Sequence, residues 1–132
     1  AGLHAGLIYN TWPSMDGRFF PEGAFFSSPW WINFFENAGL AQFDHRIGAY
    51  VIALAVAAIW IAGRRLSGWA RTTQHLLLAL TAFQIVLGIL TLLNQAPIAL
   101  SALHQTTAAA LFCAAVWHAF EMRFRDQPAF SA

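Results

Sequence analysis

The 132-residue chain is 58% hydrophobic and only 10% charged, without a single lysine, whereas a soluble domain carries about 25% charged residues. That excludes an ordinary soluble protein, and a net charge of +1 with dispersed arginines excludes a nucleic-acid partner, because no stretch could neutralise a run of phosphates. The length accommodates about three helical spans of roughly 20 residues and one sizeable loop, with no room for a second soluble domain.

Residues 1–42 read as a loop on one face of the membrane. Pro13, Gly17, Pro21, Gly23 and Pro29 interrupt it too often for a long helix, and Ala1 to Ile8 fits the tail of an earlier span. Ser28 and Pro29 read as the N-cap and first position of a short helix, on which Trp30, Trp31, Phe34, Phe35 and Ala38 share one face. Two uses of that face are open: a seat at the headgroup level of the bilayer, or packing of the loop onto the helices.

Residues 43–132 read as a three-helix transmembrane domain. The first span runs from about Phe43 to Gly63, with no charge between Ile47 and Ala62, and Gly63, Arg64 and Arg65 close it. The second runs from about Thr72 to Leu93. The third opens near Pro97 and continues to about Glu121, with Arg123, Arg125 and Pro128 at its exit. Along the second span Thr81, Gln84, Gly88, Thr91 and Gln95 recur at helical spacing, so this polar stripe faces inward and either lines a pocket or bonds helix to helix. The single Cys113 excludes an internal disulfide and reads as a small buried residue. By parity Arg64, Arg65, Arg71, Arg123 and Arg125 share one side of the membrane. The other side holds Arg18 and Arg46 beside Asp16, Glu22, Glu36 and Asp44, so the positive-inside rule puts the N-terminal loop outside. The fold class is all-α and integral to the membrane: three transmembrane helices plus an aromatic-rich outer loop.

A histidine inside a membrane helix is costly to leave unpaired, which makes His45 a functional candidate. Its counterpart is His104. Both spans descend from the same face, so both imidazoles lie at similar depth. Zinc wants four donors, and the sequence has no cluster of Cys, Asp and further His to supply them; a haem brings four equatorial nitrogens and asks the protein only for two axial ligands. His45 and His104 are therefore candidate ligands of a haem iron. Small residues beside each would admit a flat macrocycle: Gly48 and Ala49 after His45, Thr107 and Ala108 after His104. Small residues also bring membrane helices together without any cofactor. Gly88 is a further candidate to give the macrocycle room. Gln42, Asp44 and Gln105 are candidates to orient the imidazoles, and Arg46 to pair with a haem propionate, its plainer reading being a snorkelling interfacial charge. His75 and His118 fall near the opposite face, where a second haem would need both; the plain reading of each is interfacial.

Taken in order, the stretch Ala5 to Gly17 (AGLIYNTWPSMDG), then Phe35-Glu36-Asn37, Gln42-Phe43-Asp44-His45-Arg46 and Leu103-His104-Gln105 resemble the C-terminal half of the haem A synthase family. The resemblance covers nearly the whole chain. It implies half of a membrane protein built from two similar four-helix halves, which oxidises the methyl group of haem O to the formyl group of haem A for cytochrome oxidase assembly. It also implies that His45 and His104 hold a haem b cofactor, that haem O binds in the missing N-terminal half, and that an external donor supplies electrons. No catalytic residue carries over, so the fragment alone should not turn over. The location implied is a bacterial plasma membrane or a mitochondrial inner membrane. The alternative is a b-type membrane cytochrome that only transfers electrons.

Overall fold

A computed structural model describes residues 3–124; Ala1 at the start and Arg125 and Pro128 at the expected exit lie outside the described residues. Two 3-10 turns, Ala5–Leu7 and Trp30–Ile32, precede four α-helices: α1 (Asn33–Glu36), α2 (Ala38–Ala62), α3 (Gly68–Leu93) and α4 (Ile98–Phe124). The last three are long and apolar enough to cross a membrane. Helix α3 is central. It packs along both neighbours, most extensively along α4, while α2 and α4 do not pack on one another over any length.

The helix boundaries follow local chemistry. Helix α2 starts at Ala38, earlier than Phe43, because Asn37 caps it: its side-chain oxygen accepts from the Leu40 amide at 3.0 Å. The same side chain donates to the carbonyls of Gly23 and Ala24, so one residue both starts the helix and ties the loop to it. At the far end Gly63 closes α2 without a left-handed turn, at φ −85°. Glycine is needed there for space, since a Cβ would collide with the amide of Gln74. That amide donates to the carbonyls of Ile59 and Trp60 in the last turn, where the Ile59 carbonyl also accepts from the Gly63 amide.

The loop is shorter in helix than expected. Residues near the start form only one 3-10 turn, and Asn37 is extended, so the aromatic face of Trp30, Trp31, Phe34 and Phe35 does not continue to Ala38. Buried Asn33 holds that turn, donating to the carbonyls of Ser27 and Trp30. The four aromatics stay largely exposed, Phe35 at 73%. Asp16 and Gly17 both have positive φ between Met15 and Arg18, whose backbones exchange hydrogen bonds as in a type I′ hairpin turn.

Helix α4 buries a stripe of Thr107, Ala114 and His118. Cys113, expected to be buried, is exposed on its outer surface. Large apolar residues such as Leu54, Phe112 and Ile98 are exposed, as suits helices whose outward surfaces meet lipid.

A candidate axial-ligand pair under a clasped loop

His45 lies about two turns into α2 and His104 about two turns into α4, both at the end that carries the loop. Their rings face each other, with centroids 6.0 Å apart and planes at 73°. An imidazole nitrogen sits about 2.0–2.1 Å from a transition metal, so two axial rings on one metal have centres roughly 6 Å apart once about 1 Å per ring is added. The observed separation fits that arrangement. Among the described residues no group of three or more His, Cys, Asp or Glu could hold a bare metal ion.

The surroundings of the two rings differ. His45 is exposed and, among the described residues, makes no side-chain hydrogen bond. His104 is half-buried against α3. A Cβ added at Gly88 would lie 2.9 Å from its Cε1, so Gly88 makes room for the imidazole itself and not directly for a macrocycle. Gln84, one turn before Gly88, donates to the His104 carbonyl at 3.0 Å and comes within 3.4 Å of Nε2. Nδ1 of His104 and Oε1 of Gln84 are buried without partners.

The small residues expected to line the site divide. A Cβ at Gly48 would meet nothing within 4 Å, so that side of α2 borders open space. Ala49 and Ala108 are half-buried beside their histidines, whereas Thr107 is buried in the stripe that packs α4.

Arg46 is not a snorkelling surface charge. Its guanidinium is buried, and its two η nitrogens donate to the carbonyls of Tyr9, Thr11, Pro13 and Ser14 at 3.0–3.2 Å. Only Nε remains without a partner, and it too is buried. Gln42 is spent the same way, donating to the Tyr9 carbonyl, while Asp44 and Gln105 are exposed and bond to neither imidazole. Asn10 carries the loop across to the other side by donating to the Leu92 carbonyl at the end of α3. A Cβ at Gly39 would press on the Tyr9 ring, and one at Gly6 on Ala96. The loop thus clasps the ends of α2 and of the α3–α4 connection, near which the two histidines sit.

At the opposite end His75 and His118 are not brought together as a pair. The Trp60 indole donates to Nδ1 of His75 at 3.3 Å. Thr73 contacts Nδ1 of His118 at 3.0 Å, and with its own proton on the Trp69 carbonyl the hydroxyl accepts from that imidazole. Of the polar stripe on α3, Thr81 and Thr91 bond back to their own helix at Leu77 and Leu87, and only Gln84 reaches α4.

Comparison with known proteins came down on one family. The family model described as cytochrome oxidase assembly protein matches residues 1–116, a stretch that includes both facing histidines and Arg46. The chain is 49% identical to the heme A synthase of Nitrosospira multiformis over 93% of its own length, 46% to that of Parvibaculum lavamentivorans over 89%, and 45% to that of Rhizobium rhizogenes over 91%. It spans only 34–35% of the length of these curated relatives. No solved structure matches it.

Proposed function

The chain belongs to the cytochrome oxidase assembly protein family, and from that premise we propose that it is the haem-binding portion of a haem A synthase, with His45 and His104 as the axial ligands of a haem b. The observation that carries this reading is the pair of facing imidazoles at 6.0 Å, one on each of two membrane helices that do not otherwise pack together. The loop up to Asn37 covers the outer end, and α2, α3 and α4 supply the membrane domain. Gly48, Ala49 and Ala108 leave room beside the ligands, and Thr107 lies in the buried stripe of α4. Arg46 serves this site by holding the loop over it; its buried Nε is the one guanidinium donor left for a propionate.

When bound, the haem supplies an iron that accepts and releases single electrons. Held by both His45 and His104, the group would serve electron transfer rather than oxygen chemistry. The oxidation of the haem O methyl group to a formyl group then belongs to the rest of the protein, with electrons from an external donor. The lipid bilayer is the other partner, with the loop facing out, by the excess of arginine at Arg64, Arg65, Arg71 and Arg123 on the opposite side.

The test is haem extraction from the intact protein expressed with a source of haem O. Hydroxylated or formylated haem together with a low-spin Soret spectrum is the expected result. Haem O alone beside that spectrum would leave an electron-transfer cytochrome, and a colourless protein would remove the haem altogether.

A further inference from the structure

Gln84 meets His104 at two places at once, and the two contacts differ in kind. The amide nitrogen is pinned by the His104 backbone carbonyl at 3.0 Å, and a carbonyl can only accept, so the NH2 end of Gln84 is the end that faces the ring. From there it lies 3.4 Å from Nε2, a long contact in which the amide can only donate. That contact is a hydrogen bond only when Nε2 carries the lone pair, which places the ring proton on the buried Nδ1. Gly88, one turn further along α3, has no Cβ and so admits the Cε1 edge of the imidazole beside these contacts. The result is a histidine whose tautomer and direction are both set by its neighbour, in the form in which Nε2 is available as a ligand.

We propose that Gln84 is the positioning residue of His104, keeping Nε2 unprotonated and turned for ligation until a metal takes the place of the amide N–H. This rests on the reading of His104 as an axial ligand.

The experiment uses the intact protein in lipid nanodiscs with 15N-labelled histidine, as wild type, Gln84→Leu and Gln84→Met. In the haem-free wild type the His104 ring is expected to show a protonated Nδ1 and an unprotonated Nε2, and in both variants a mixture of tautomers. Haem bound by the variants should show altered low-spin g-values, while circular dichroism stays that of the wild type. The Met variant preserves length and flexibility, so it keeps the question answerable if the Leu variant misfolds. An unchanged tautomer in a folded variant overturns the proposal, as do unchanged g-values where the wild type binds haem. If the wild type takes up no haem, the axial-ligand reading falls by itself, and the haem-free tautomer still decides the part played by Gln84.

Discussion

The molecule carries two pairs of histidines, one at each end of its helices, and the ends treat them in opposite ways. At the far end His75 and His118 each have Nδ1 in a hydrogen bond to a different neighbour, Trp60 on α2 and Thr73 on α3. At the loop end His45 and His104 point at each other, His45 without a hydrogen bond among the described residues and His104 with an orphaned Nδ1. The bundle satisfies its imidazoles where they only join helices and leaves two of them facing and underused at the other end, and the haem proposal rests on that difference.

The sharpest way to break this contrast is to remove the loop-end rings. His45→Ala and His104→Ala should each abolish the low-spin spectrum of the haem-loaded protein, and a spectrum that survives both would show that the ligands lie elsewhere. Next in size comes the clasp. Arg46→Gln strips partners from four loop carbonyls and should destabilise the loop end by about 3 kcal/mol, read as new proteolysis between Tyr9 and Arg18. Arg46→Lys should rescue little, because a single ammonium cannot span the same carbonyls as a planar guanidinium. Protease resistance in both variants would mean that the loop is held by its other contacts.

A smaller effect is expected from Gly88→Ala. Its new Cβ would press on the His104 ring and cost about 1–3 kcal/mol, shifting the low-spin g-values without changing helical content. Unaltered g-values would show that the ring has slack. The smallest effect belongs to the far end: His118→Ala should lose one interhelical bond, about 1 kcal/mol, and leave the haem spectrum as it is. Loss of the spectrum there would turn the structural pair into a second haem site and erase the comparison.

The physical reasons for success and failure in reading the chain differ by residue. The three spans are legible because apolar runs bounded by Gly63, Arg64, Asn94 and Pro97 act locally, and the level of the two imidazoles follows from counting crossings. The earlier start of α2 was visible in Asn37, an N-cap residue five positions after Ile32, but the polar stretch from Gln42 to Arg46 draws the boundary later. The snorkelling reading of Arg46 failed for a different reason. Its partners are carbonyls of Tyr9, Thr11, Pro13 and Ser14, and backbone oxygens leave no mark in a sequence. Gln84 and Gly88 stood out as part of a stripe, yet nothing in their spacing distinguishes a residue that positions an imidazole from one, such as Thr81, that bonds back to its own helix.

Composition and periodicity alone determined that this is a membrane protein of three spans with a histidine near the loop end of the first and the third, because hydropathy and rise per residue are properties of each helix taken singly. Only the tertiary structure decided that the two rings turn toward each other, that α3 stands between their helices, and that a buried arginine straps the loop over them. Those outcomes depend on how each helix is rotated about its own axis and on where loop carbonyls end up in space. No pattern along a single strand of residues encodes either one directly.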